Sequence, residues 1–316
     1  MVQNLKNKKV SIIIIAYNRK EYVLKAIDSV VRNDYPNIEI IYVDGGSTDG
    51  TIEEIQAKYV NDVRIVITTK KGVTKTRNVG GNVAKGDIFL FLDSDAELNN
   101  GTINKAVGEF EDQKIGAIGM KIISIDDKRT VQGRARRFKY PLFFPIPISN
   151  DYETKEKIHA FDVLETAFFV RASVYRKLRG FDEDLYDYGA EGLDFCWRVW
   201  NNGYIVMYLS NLITYHKSFA ANPSASKDWQ IRKNLIMATA NFSLIYLKNG
   251  DLLVLLELPI IMTLSFALII NSDYGSIRTF ISVIGLIFKK MDIFLSKRKS
   301  TKNKILSDFK ILKYLK

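Results

Sequence analysis

The sequence predicts an α/β protein built on an open, mostly parallel sheet, and three observations carry that reading. Apolar runs alternate with helix-like segments along the first 125 residues. Most of those runs are apolar throughout rather than at every second position, as strands covered on both faces require. Turn-forming residues stand at the junctions.

In order, the strand candidates are Val10–Ile15, Ile38–Val43, Val63–Ile67, Asp87–Leu92 and Ile115–Ile123. Arg19–Asn33, Ser47–Tyr59 and Thr74–Gly86 read as the helices between them, several with a capping residue in front. Asn33-Asp34-Tyr35-Pro36 and Ala84-Lys85-Gly86-Asp87 mark turns. In such a sheet, ligands are expected at the carboxyl ends of the strands. Residues 126–161 read as irregular and partly mobile, and residues 162–216 carry a second set of functional-looking side chains. No internal repeat is visible.

Composition narrows the function classes. The chain has 316 residues, 47% hydrophobic and 26% charged, enough for a proper core and ordinary for a globular protein. Cys196 is the only cysteine, which removes disulfide and Cys-based zinc chemistry and fits a reducing compartment. The apolar stretch Val10–Ile15 is too short for a signal-peptide core and reads as the first strand. Of the net charge of +11, residues 289–316 contribute +8 through ten Lys/Arg against two Asp. Just before that tail, Leu252–Ile270 is a 19-residue apolar run interrupted by Glu257 and Pro259. A hairpin inserted in or lying on a membrane is favoured over one packed on the body, because basic flanks suit an anionic leaflet. Nucleic acid is not an expected partner, since no reading module accompanies the basic tail.

The strand ends read as one surface. The first strand ends in Ala16-Tyr17-Asn18-Arg19, the second in Asp44-Gly45-Gly46-Ser47, the fourth in Asp93-Ser94-Asp95. No Gly-x-Gly-x-x-Gly turn follows the first strand, which counts against a dinucleotide oxidoreductase, and no Gly-Lys-Ser/Thr marks a P-loop. Two carboxylates one residue apart suit a hard divalent cation, Mg²⁺ or Mn²⁺, that keeps positions open for phosphate oxygens. In isolation such a pair also reads as a loop cap; its place directly after Ile88–Leu92 favours the metal.

Five segments in order, VSIIIIAYNR, VDGGSTDGT, TRNVGGNVAKGDIFLFLDSD, RGFDEDLYDYGAEGLDFCWRVWNNGY and TYHKS, resemble family 2 glycosyltransferases of the GT-A fold over about residues 8–220. The resemblance is rhamnosyltransferase-like. It implies transfer of a sugar from a nucleotide-activated donor to an acceptor hydroxyl with inversion at the anomeric carbon. It assigns Asp95 to the metal, with Asp93 near the ribose or sugar and sharing the ion, and His216 as a late metal ligand or diphosphate contact. It places Ala16, Tyr17, Asn18, Arg19, Asp44, Gly45, Ser47, Arg77, Asn78 and Ser94 around the nucleotide sugar. Tyr17 would stack on the base, the alternative being a core aromatic at a strand end. Asn78 would brace the turn. The common Val-Asp-Asp-Gly-Ser turn has Gly45 at its second acid, so the residue that often reads uracil is missing, which counts against uridine as donor base.

On the acceptor side, inversion needs a general base for the hydroxyl proton. The family's adjacent acids are replaced by Glu191-Gly192, followed by Leu193-Asp194. Glu191 is preferred as base over Asp194, which sits at the start of a helix and could serve as its cap. Asp182 and Glu183 are expected to shape the acceptor loop, His159 to lie on the surface, and Phe195, Trp197 and Trp200 to be core.

These expectations combine into a metal-dependent catalytic domain over residues 1–230 and a helical membrane-associating region over 231–316. The enzyme would act at the cytoplasmic face of the cell membrane on a lipid-linked or cell-surface glycan. Two alternatives remain open: a polyprenyl-phosphate sugar synthase, and a non-catalytic nucleotide-sugar-binding module suggested by Gly192.

Overall fold

A computed structural model describes residues 8–133, 135–139, 144–148, 155–185, 189–217, 228–251, 276–300, 304 and 306–315, with scattered positions between 255 and 267. The first half alternates strands and helices: β1 (Val10–Ala16), α1 (Lys20–Val31), β2 (Ile38–Asp44), α2 (Thr51–Lys58), β3 (Val63–Ile67), α3 (Val73–Val83) and β4 (Ile88–Asp93). There follow β5 (Ala96–Leu98), α4 (Thr102–Glu109), β6 (Ile115–Ser124), β7 (Val131–Gly133), β8 (Arg136–Lys139), β9 (Phe144–Pro147), β10 (Lys157–His159), β11 (Ala167–Arg171), α5 (Ala172–Lys177), α6 (Glu191–Asn201) and β12 (Ile205–His216). Residues 126–161, expected to be irregular, thus hold four short strands where they are described. The capping expectation fails at the helix starts. Arg19, Gly50 and Gly72 precede α1, α2 and α3 without a side-chain cap. Instead Asp49 accepts hydrogen bonds from the backbone N–H of Lys20 and of Thr51, serving two helix starts at once.

The main sheet runs β10-β12-β6-β11-β4-β1-β2-β3, with β5 on β12 and β7 on β6. β1, β2, β3 and β4 are mutually parallel, but β11 lies antiparallel between β4 and β6. After β3 the chain crosses back to place β4 on the other side of β1, creating the switch point where α/β sheets bind ligands. The register holds the edge level: Ile15 pairs with Asp93 and Ala16 with Asp44. Both faces of β1 are covered, Ile13 in one core and Ile12 and Ile14 in the other, which explains its uninterrupted apolar sequence. Close approach of α3 to the sheet requires Gly80, where a Cβ would lie 2.4 Å from Ile13 Cγ2. That approach sets Arg77, one turn earlier, against the strand ends.

The C-terminal helices are α7 (Asp228–Asn249), α8 (Ile277–Ser300) and α9 (Asp308–Tyr314). Ala240, Leu244, Ile245 and Tyr246 of α7 join the same core as Trp197 and Trp200. The Trp197 indole N–H donates to Asp308 at 2.9 Å. Lys248 reaches Asp182 at 2.7 Å and Asp194 at 2.5 Å, and Lys297 pairs with Asp184 at 2.6 Å. Burial works against the charged form of Asp182, yet Lys248 and Lys297 outweigh it and hold its carboxyl well below the ordinary range. His159 is half-buried at the surface against Trp200 and Tyr314, with Nδ1 3.0 Å from the Tyr314 carbonyl.

Among the described residues no helix is long and apolar enough to cross a membrane. Most of Leu252–Ile270, on which the membrane expectation chiefly rested, lies outside the described residues. α8 buries Val283 and Phe294 and leaves Ile277, Ile281, Phe288, Ile293 and Leu295 exposed.

Candidate active site

An open cleft of about 1040 Å³ lies at the carboxyl edge of β1, β2 and β4. Of the residues expected there, Ala16, Tyr17, Arg19, Gly45, Arg77, Asp93, Ser94, Asp95 and Glu191 line it. Tyr17 is 60% exposed, which excludes the core-aromatic alternative. A Cβ at Gly45 would meet Tyr17 and the Ala16 carbonyl at ordinary contact distance, so Gly45 is a gap beside Tyr17 rather than a steric necessity.

Arg77 is the hub. It is 3% exposed and donates to Glu191 Oε1 at 2.9 Å, to Asp93 Oδ1 at 2.7 Å and to the Glu165 carbonyl at 3.1 Å. A guanidinium taken out of water must be paired, and its planar fork suits two carboxylates on different elements. It thereby ties the end of β4 to the start of α6. Burial, reinforced by the neighbouring Glu165 and opposed by Arg77, pushes the Glu191 carboxyl up to about 7. Such a group changes charge near neutral pH, where a general base is most effective.

Other expected residues serve the walls rather than the cleft. Asp44 is fully buried, and its carboxylate accepts from the Gly46 and Ser47 N–H at 2.7 and 2.6 Å and from the Tyr42 hydroxyl. It shapes the turn and does not line the pocket. Asn18, at φ 51°, accepts from the Thr48 N–H, while its own N–H donates to Ser47 Oγ, so this pair laces the first two turns together. Asn78, expected beside the nucleotide, instead accepts from the Tyr175 hydroxyl and the Phe181 N–H and donates to the Phe181 carbonyl, so it braces the Gly180–Phe181 turn and does not line the cleft. Asp194 diverges from Glu191. It is fully buried, bonded to Arg198 at 2.8 Å and Asn249 at 2.8 Å besides Lys248, and neither caps α6 nor reaches the cleft.

Asp95 stands 3.5 Å from His216 Nε2 and 3.3 Å from Arg19 Nη1. Pairing of His216 with Ala96 across β12 and β5 brings the histidine there. Among the described residues no cluster of three or more metal-ligating side chains occurs. Asp95 and His216 supply an oxygen and a nitrogen donor beside an open cleft, which fits a hard cation that takes its remaining ligands from phosphate and water. Asp93 accepts from Arg77 through Oδ1 and still lines the cleft.

The cleft also contains residues that strand-end reading overlooked. Lys70 and Lys71 come from the β3–α3 turn, Thr76 from the first turn of α3, and Glu165 and Thr166 from the segment before β11. The lysines had a visible signal in the Lys-Lys-Gly turn. Glu165 had none, because only the antiparallel pairing of β11 with β4, Ala167 opposite Leu92, carries the start of that strand to the ligand edge. There the Asp93 N–H donates to the Thr166 carbonyl at 2.8 Å.

The model of the family Glycosyl transferase family 2 matches residues 11–179, more than half of the chain. Among curated relatives, the chain is 37% identical over 109 residues to UDP-Glc:alpha-D-GlcNAc-diphosphoundecaprenol beta-1,3-glucosyltransferase WfaP of Escherichia coli, covering 34% of this chain and 43% of that protein. It is 28% identical over 130 residues to the poly(ribitol-phosphate) beta-N-acetylglucosaminyltransferase TarS of Staphylococcus aureus, covering 39% of this chain and 22% of that one. The chain thus spans less than half the length of these two relatives. Two solved structures share the GT-A fold: GalNAc-T7 with UDP, GalNAc and Mn²⁺ (TM-score 0.64, 15% identity, 98% of this chain and 58% of that one), and the Pyrobaculum calidifontis mannosyltransferase PcManGT with GDP-Man and Mn²⁺ (TM-score 0.58, 17% identity, 93% and 85%). A matched family model, five sequence segments in order and a strand-edge cleft built from them agree: this chain belongs to glycosyl transferase family 2.

Proposed function

We propose that the chain is a metal-dependent, inverting glycosyltransferase that moves a sugar from a nucleotide-sugar donor to a hydroxyl of a lipid-linked or cell-surface glycan. The observation that carries this reading is the Arg77 bridge, which joins a donor-side acid, Asp93, to an acceptor-side acid, Glu191, within one cleft. The nucleotide base stacks on exposed Tyr17 at the mouth of that cleft. Arg19, Lys70 and Lys71 lie along it as cations facing the diphosphate. Glu191 takes the acceptor proton as the hydroxyl attacks the anomeric carbon from the face opposite the leaving diphosphate. Asp95 and His216 would hold Mg²⁺ or Mn²⁺, which supplies Lewis-acid stabilisation of the leaving diphosphate's charge. With Gly45 in the second turn, no carboxylate reads the base imide there, so uridine is disfavoured.

The acceptor reading draws on two features. The E. coli relative is named for a diphosphoundecaprenol-linked substrate. The exposed apolar side chains of α8 lead directly into the basic C-terminus, a combination suited to an anionic membrane surface. The catalytic domain is accordingly assigned to residues 1–230 and the membrane-associating region to 231–316, at the cytoplasmic face. A screen of nucleotide-sugar hydrolysis with Mn²⁺ and with Mg²⁺ tests the enzyme reading without an acceptor, and activity unaffected by chelator would remove the metal from it. Flotation with anionic and neutral vesicles tests the surface, with binding expected only to the anionic ones.

A further inference from the structure

We propose that Glu165 is the second acid of the acceptor site, supplied by the segment before β11 in the space that a side chain at residue 192 would occupy. The inference deepens the functional reading above and rests on it. A Cβ built on Gly192 would lie 2.7 Å from Glu165 Oε1, 2.8 Å from its Cγ and 2.9 Å from its Cδ. The Glu165 carboxylate therefore fills that volume, and residue 192 is a glycine because the carboxylate is already there. It is fixed in place, since the Gly192 N–H donates to Oε1 at 2.8 Å. Both Glu165 and Glu191 line the cleft. An acid pair that adjacent residues of one helix would otherwise provide is thus assembled from two segments 26 residues apart, brought together by the antiparallel entry of β11.

Charge balance gives the pair its purpose. The groups facing Glu191 are Arg77 from α3, Asp93 from β4 and Glu165 from the segment before β11. Burial does most to raise the proton affinity of Glu191, and Arg77 pulls against that rise. The negative charge of Glu165 offsets that pull and raises the proton affinity of Glu191. Glu165 is therefore a positioning and tuning residue that acts through Glu191. A helix cap would need only the oxygen that accepts from Gly192, so the charge distinguishes the two roles.

Glu165→Gln keeps an oxygen for the Gly192 N–H and removes the charge. The expected result is a fall in kcat of roughly tenfold or more with the donor KM unchanged, an acid limb of the kcat profile moved to lower pH, and an unchanged melting temperature. Glu165→Ala loses at least as much, and Glu165→Ala combined with Gly192→Glu, which returns a carboxylate to the same space from the helix, recovers most of it. A wild-type rate and profile for Glu165→Gln overturns the proposal, as does a folded double variant no faster than Glu165→Ala. If the wild type neither transfers nor hydrolyses any donor, the functional reading fails separately. Carboxyl ¹³C NMR, with Glu191 assigned through Glu191→Gln, still decides the pairing. The Glu191 midpoint drops in Glu165→Gln if Glu165 tunes it, and an unmoved midpoint overturns the proposal.

Discussion

The two sides of the cleft, proposed to take the donor and the acceptor, are built by different rules. On the donor side, each segment follows its own strand: Ala16-Tyr17 after β1, Gly45 after β2, Asp93-Ser94-Asp95 after β4. Parallel register makes neighbours of residues far apart in sequence, so a short motif at a strand end lands in the site automatically. On the acceptor side no such rule operates. Glu191 opens α6, Asp194 lies three residues on yet is turned into the Lys248 cluster, and Glu165 precedes an antiparallel strand. A parallel sheet edge thus sorts functional residues by topology, whereas an acceptor pocket sorts them by packing.

That contrast can be broken at its strongest point first. Glu191→Gln should reduce transfer by roughly 10²–10⁴-fold, the range for losing a general base, while donor affinity measured by calorimetry stays close to wild type. Retained transfer would favour the polyprenyl-phosphate sugar synthase, whose phosphate acceptor needs no strong base. In the wild type, transfer should rise as pH climbs through about 7, since Glu191 must lose its proton before it can accept one. A rate flat on both sides of that value would separate Glu191 from the proton transfer.

Next in size is the Lys248 cluster. Lys248→Met leaves Asp182 with Lys297 and Asp194 with Arg198 and Asn249, and losing the cation the two acids share should cost about 1–3 kcal/mol of stability in denaturant titration. Because Asp182 is held below its unfolded proton affinity, its contribution is present above the ordinary carboxyl range and fades as pH falls through the depressed value. Wild-type stability in this variant would show that the C-terminal helices do not depend on that charge network.

Smaller effects sharpen the donor side. Tyr17→Ala should weaken nucleotide binding by about 1–3 kcal/mol, the worth of one base–aromatic stack, with no change in melting temperature because the ring is exposed. Gly80→Ala should cost about 1–3 kcal/mol of stability, since its Cβ would meet Ile13 Cγ2 at 2.4 Å and push α3 off the sheet. Some donor affinity should be lost with it as Arg77 shifts.

The amino-acid order by itself determined the strands of the parallel half and the residues at their ends. Uninterrupted apolar runs such as Val10–Ile15 can be satisfied only when both faces are covered, and a strand end then fixes where the next residues stand. It also marked Glu191, through the segment that resembles the family. Tertiary structure alone decided which polar groups face the cleft. Asp44 and Asn78 sit within the expected motifs but turn inward to brace turns, Asp194 is drawn to Lys248 and Arg198, and Glu165 enters from a strand whose direction no local pattern announces. The physical reason is that strand periodicity is a property of consecutive residues, whereas the pairing of a buried charge depends on whatever partner packing brings within reach, and that partner can lie anywhere along the chain.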